Sequence, residues 1–189
     1  MNHVVRVVGL EDVDEFRRVR LDALRLHPEA FLASYEDESL FGRAQFAERL
    51  ATPGLTRFGA FAHEEMVGLV GLRIPGGAKV RHKAHLFSMY VADGHRRAGL
   101  ANRLVQAVID AAREAGALVL QLTVTAGNAP AQRLFRRMGF QVYGVERRAI
   151  HVHNSFYDEE LMALELERVC WSNPTSGLVP GAFSTTASR

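Results

Sequence analysis

"MYVADGHRRAGLANRL", residues 89–104, passes from an apolar, strand-like segment through a polar turn into an apolar repeat of helical spacing. Met89, Tyr90 and Val91 close the strand pattern, and Leu100 and Leu104 open the helical one, so Arg96, Arg97 and Gly99 stand where a strand hands over to a helix. The first backbone N–H groups of a helix have no acceptor within it and point at an anion if one is there. Gly99 and Ala101 lack the bulk that would hold a phosphate away, and Arg96 or Arg97 can add charge-assisted hydrogen bonds. Glycine and arginine also occur in ordinary strand-to-helix connections, so this loop alone leaves both readings open. The patterns G-x-x-x-x-G-K-[ST] and G-x-G-x-x-G are absent.

Working outward, Ala84–Val91 reads as the strand before the loop, and a helix runs from about Ala98 to Ala115. Leu100, Leu104, Val108 and Ala112 form its apolar stripe, widened by Ala101 and Val105, and Gly116 stops it. Leu118–Thr125 is a strongly apolar strand, and Asn128 can cap a helix with Ala131, Leu134, Phe135 and Met138 inward, ended by Gly139. Upstream, Val4–Val8 is a strand, Glu11–Leu26 and Phe41–Leu50 are helices, and "PEAFLASYEDESL" connects them. Arg57–Ala62 and Met66–Ile74 form a hairpin about His63-Glu64-Glu65, and Gln141–Val152 and Phe156–Leu166 are two final strands. A strand-helix-strand unit inside a largely antiparallel order predicts an α/β (α+β) fold with one parallel pair, flanked by about four helices.

The 189 residues, 48% of them hydrophobic, suit one domain over 1–168, followed by a Ser-, Thr-, Gly- and Pro-rich tail, 169–189, read as disordered. Residues 1–6 show no signal-peptide pattern, and Cys170 has no second cysteine to bridge, so a cytoplasmic location and no membrane are expected. The sequence pI near 9.0 would point to nucleic acid, but 23 basic residues nearly balance 21 acidic ones and no long basic stripe exists. No nucleic-acid partner is expected.

Together with "LQLTVTAGNAPAQRLFRRMGF", residues 120–140, the opening stretch resembles the GNAT superfamily of N-acetyltransferases. Its acetyl-CoA loop [RQ]-x-x-G-x-[GA] is matched by Arg96-Arg97-Ala98-Gly99-Leu100-Ala101, and N-x-x-A-x-x-L-[YF]-x-x-x-G-F by Asn128, Ala131, Leu134, Phe135, Gly139 and Phe140. "FLASYEDES" and "FYDEELMALEL" look like the family's substrate-side loop and last strand, so the resemblance covers roughly residues 4–168. It implies a mixed sheet splayed between the fourth and fifth strands. Acetyl-CoA would be the co-substrate, with its pantetheine arm along Met89–Val91, its pyrophosphate on residues 96–101, and Asn128, Ala131 and Phe135 on the other side. The acceptor would be a primary amine on a small molecule or a protein, reached by direct attack in a ternary complex, and exposed final strands would allow a homodimer.

Such a transfer needs a neutral amine, an oxyanion donor and an exit for the thiolate. Backbone N–H groups near Tyr90 and Val91 suit the oxyanion. His85 is the candidate base, its alternative being a packed strand histidine. Phe135 stands where many family members have the tyrosine that protonates the thiolate, which leaves Tyr90, Tyr143 and Tyr157 as hydroxyl candidates. That departure also motivates the competing reading, a GNAT-fold acyl-CoA-binding module with little or no catalysis. Thr123 can order a water. Phe31, Tyr35, Glu36 and Tyr157 are acceptor-side candidates, the run Glu36-Asp37-Glu38 either drawing a cation or forming a solvated face. The pairs His82/His85 and His151/His153 lack a third ligand or an H-E-x-x-H pattern, so no metal is assigned.

Overall fold

Only three residue pairs join the two parallel strands: Lys83 with Val119, Ala84 with Leu120 and His85 with Gln121. Beyond them β4 (Lys83–Val91) and β5 (Val119–Thr125) run on without pairing, so the sheet opens between them. The computed structural model describes residues 3–166, and the tail read above as disordered lies outside them. Around the opening, β1 (His3–Val7), β2 (Leu55–Ala62) and β3 (Glu65–Arg73) lead antiparallel into β4. β7 (Ser155–Glu165) and β6 (Gln141–Val152) extend β5 antiparallel, giving the order β1-β2-β3-β4-β5-β7-β6.

Helices cover both faces. α4 (Leu100–Glu114) buries Leu100, Leu104, Val105, Val108, Ile109 and Ala112, and α5 (Ala129–Arg137) buries Leu134 and Phe135, in one core with the even-numbered residues of β5. Each such large aliphatic side chain contributes roughly 1.5–3 kcal/mol by leaving water. On the other face, α1 (Val13–Leu26) and α3 (Arg43–Leu50) close a second core of Phe16, Val19, Phe46, Met66 and Leu69. Predicted and observed spans differ by no more than two residues at any end. The connection before α3 holds one helix more than expected, α2 (Tyr35–Ser39), whose cap is Ser34 accepting from the Asp37 N–H at 3.1 Å.

A β-bulge decides which side chains of β4 meet which face. Leu69 stands opposite Tyr90 and Gly71 opposite Phe87, so Ser88 and Met89 share the space opposite Val70, with Ser88 in the left-handed region at φ 54°. The extra residue reverses the alternation: Ala84 and Leu86 face the α4 core before it, Met89 and Val91 after it. Tyr90 is thereby turned to the α1 core.

Candidate active site

The loop after β4 is built to leave donors free. Arg97 (φ 65°) and Gly99 (φ 75°) both adopt left-handed backbone, which delays the helix to Leu100, two residues later than its apolar pattern predicts. A Cβ on Gly99 would meet nothing within 4 Å, so glycine is required here for its backbone angle and not for packing. The N–H groups of residues 97–102 have no hydrogen-bond partner among the described residues; the first bond of α4 is Arg103 N–H to the Gly99 carbonyl. Leu100 is buried, so only its backbone reaches the loop, whereas Arg97, Ala98 and Gly99 are exposed and Ala101 half-buried. Arg96 is turned back: its Nε donates to the Val91 carbonyl at 3.0 Å, and Nη2 lies 2.8 Å from Asp93 and 3.1 Å from His27 Nε2. It braces the loop onto the strand end, whereas Arg97, beside the open N–H groups, makes no salt bridge among the described residues.

Past His85 the edge of β4 toward β5 is unpaired. The Ala92 N–H donates to Val67 on the β3 side, so by alternation the Val91 N–H lies on the open edge. On β5 and β7 the odd-numbered residues share the face away from the α4–α5 core. Thr123 is exposed and donates from Oγ1 to Glu159 Oε1 at 3.2 Å; Glu159 is only 4% exposed, directly opposite Thr125. Burial pushes the Glu159 carboxyl above its ordinary value, the Thr123 bond opposes this, and Glu146 on β6 adds to it. Glu159 has no cation within 4.0 Å among the described residues.

The other candidates scatter around this wall. His85 is half-buried, and burial, then Arg73 and Lys83, lower its pKa. Tyr143 sits at a bulge of β6, its hydroxyl accepting from Gln121 Nε2 at 3.4 Å. Tyr90 packs beside His27, with ring centroids 6.0 Å apart, and burial, then Asp93 and Asp22, raise its pKa. Phe135 lies in the α4–α5 core against Phe140, centroids 5.7 Å apart, and Asn128 caps α5 through Ala131 N–H at 3.3 Å. Tyr157 is half-buried on β7 opposite Ile150.

On the α1 side of β4 the acidic run resolves differently from its sequence reading. Glu36 and Asp37 are exposed, while Glu38 is buried and paired with Arg20 and Arg49. Phe31 is buried with the Arg20 guanidinium 5.3 Å from its ring centre, and Tyr35 is half-buried on the same core. Glu159, Arg20 and Arg57 were not among the sequence candidates, though two carried a signal. Arg20 interrupts the apolar stripe Phe16, Val19, Ala23, and Glu159 shares the alternation of Leu161 and Ala163 in the last strand.

The model of the GNAT acetyltransferase family matches residues 13–140. A curated L-methionine sulfoximine/L-methionine sulfone acetyltransferase of Pseudomonas paraeruginosa is 35% identical over 80 residues, 42% of this chain and 46% of that protein, so the chain spans about half of its length. Streptothricin acetyltransferase of Streptomyces lavendulae is 48% identical over 30% of each chain. An N-alpha-acetyltransferase of Sulfurisphaera tokodaii is 29% identical over 86% of this chain and 92% of its own. Among solved structures, yncA of Salmonella typhimurium with its cofactor acetyl-CoA aligns with a TM-score of 0.73 at 21% identity, covering 89% of this chain and 96% of that one. An N-acetyltransferase of Staphylococcus aureus aligns at 0.74 and 18%, covering 88% and 100%. With the splayed strand pair and the open-donor loop falling inside the matched span, the chain belongs to the GNAT acetyltransferase family.

Proposed function

We propose that this protein transfers an acetyl group from acetyl-CoA to a primary amine. The observation that carries the reading is the row of unpartnered N–H groups at residues 97–102, opening beside the unpaired edge of β4. Those groups, with Arg97, would hold the diphosphate, and the backbone of Met89–Val91 the pantetheine arm. Acetyl-CoA supplies the acyl group as an activated thioester. The Val91 N–H can donate to the oxygen that gains charge when the amine attacks.

An alkylammonium with a pKa of about 10.4 must first lose a proton. Glu159 is the better-supported base: its raised pKa makes the carboxylate more basic than usual, and Thr123 orients it. His85 is the second candidate, neutral but weakened as a base by burial. The thiolate, with a thiol pKa of roughly 8.5, is a tolerable leaving group without a tyrosine at position 135. Tyr143 and Tyr90 are the nearby hydroxyls. The relatives' names range over methionine sulfoximine, streptothricin and N-alpha acetylation, so they do not converge on one acceptor.

Calorimetric titration with acetyl-CoA and CoA tests the reading. The expected result is a dissociation constant on the order of 1–100 μM that Gly99→Glu weakens at least ~100-fold, by placing a negative charge among the donors. Gly99→Asn, which tolerates the left-handed angle, should bind nearly as wild type. Absence of binding in the wild type ends the reading.

A further inference from the structure

We propose that the cavity between α1, α3 and the face of β4 carrying Phe87 is an anion subsite, so that the acceptor amine also bears a carboxylate, held by Arg57. The inference rests on the acetyl-transfer reading for its link to the reaction, but not for the existence of the subsite. The cavity measures about 200 Å³, is lined by Phe16, Leu69, Phe87 and Ser88 together with charged groups, and Arg49, 38% exposed, marks its opening.

The charges do not balance. Three guanidiniums, Arg20, Arg49 and Arg57, share a single carboxylate, Glu38. Arg20 Nε and Nη2 donate to its two oxygens at 2.9 Å each, and Arg49 Nη1 donates to Oε1 at 2.9 Å. Glu38 is thereby saturated by two cations, and no carboxylate comes within 4.0 Å of Arg57 among the described residues. Arg57 is nevertheless fixed. Its guanidinium lies 5.3 Å from the ring centre of Phe16 and 5.8 Å from that of Phe87, and Nη1 donates to the Arg49 carbonyl. Gly71 makes room for this arrangement, since a Cβ there would fall 2.3 Å from the Phe87 ring. Nε and Nη2 of Arg57 have no acceptor among the described residues, and Arg57 lines the cavity.

A half-buried arginine set beside two aromatic rings, with two donors unused among the described residues, is a preorganised fork for a carboxylate. Burial, then Arg49 and Arg20, lower its pKa to about 10, the penalty that an arriving anion would relieve. The same network reaches the reaction edge: Arg20 Nη1 donates to Ser88 Oγ at 3.1 Å, at the bulge within the stretch of β4 that is unpaired toward β5. Phe16, Leu69 and Phe87 suit an apolar side chain on the acceptor. The acceptor class is an amino carboxylic acid, its carboxylate toward Arg57 and its amine toward the unpaired edge of β4.

The test uses the full chain without acetyl-CoA. N-acetyl-L-alanine and N-acetyl-L-leucine are titrated calorimetrically against their carboxamides, in wild type, Arg57→Met and Arg57→Lys. The expected result is that each carboxylate binds about 10- to 100-fold tighter than its carboxamide. Arg57→Met should erase that difference, and Arg57→Lys, which keeps the charge and loses the fork, should retain only part of it. Equal binding of carboxylate and carboxamide by wild type, or a preference surviving in folded Arg57→Met, overturns the subsite. Acetyl-CoA titration of the same samples reports on the transfer reading alone, so failure of one is told apart from failure of the other.

Discussion

Glu159 and Arg57 are opposite cases of one physical situation, a charge drawn out of water with no partner of opposite sign within 4.0 Å among the described residues. For Glu159 the consequence is a pH dependence of known direction. Its carboxyl is raised by burial, so the folded state holds the proton more tightly than the unfolded one, and ionisation costs stability as pH rises from the ordinary value of 4.5 through the folded pKa. Glu159→Gln should therefore leave the melting temperature at pH 7 unchanged or higher, while lowering kcat by about 10²- to 10⁴-fold, the usual contribution of a general base. The rate of the wild type should rise with pH through the same window, and the variant should lose that limb. A wild-type profile unchanged by the substitution would transfer the base to His85. His85→Gln makes the contrast, since a base there predicts a limb below the ordinary histidine value of 6.5, given the lowered pKa.

Between elements, Glu38 ties α2 to α1 through Arg20, to α3 through Arg49, and through Arg20 to the bulge of β4. Burial alone would raise its pKa, but the hydrogen bonds and charges of Arg20 and Arg49 overcome this and hold it below the ordinary value. The stabilisation is thus present above about pH 4.5 and lost as pH falls through the folded pKa. Glu38→Gln leaves the buried Arg20 guanidinium unneutralised beside the half-buried Arg49, and should cost roughly 3–5 kcal/mol at pH 7 by urea unfolding, with a smaller cost in acid. This network was not legible in "SYEDES", because three adjacent acidic residues look alike until α2 turns one inward. The helix itself had a visible cue, Ser34 followed by Asp37 at capping distance, yet five residues are too few for a hydrophobic period to show. By contrast α4, α5 and the strand between them were readable, since long apolar stripes and the glycines after them repeat the same message at several positions. The start of α4 was misjudged only because the left-handed Arg97 carries no residue-type signal.

At the scale of the whole molecule the sheet ends, among the described residues, on β6, a long strand paired there on one side only. Val142, Tyr143 and Val145 are 43%, 58% and 54% exposed along its first half, ahead of the charged Glu146, Arg147 and Arg148 that protect the rest of the edge. Two register shifts, at Val142/Gly144 and Glu146/Ile150, kink the strand without covering these residues. A second copy related by a two-fold axis would meet the same strand with the same residues, as a self-complementary interface requires. The expected assembly is a homodimer through β6, and since Tyr143 lies on it, dimerisation would cover one wall of the opening. Sedimentation velocity should then give a dimer mass at tens of micromolar, about the range where an interface of moderate size associates. Val142→Lys with Val145→Lys should shift the chain to monomer with little change in melting temperature, because both side chains already contact water. A wild type that remains monomeric to ~100 μM would leave the exposed edge without this explanation. A dimer that survives both lysines would place the interface elsewhere.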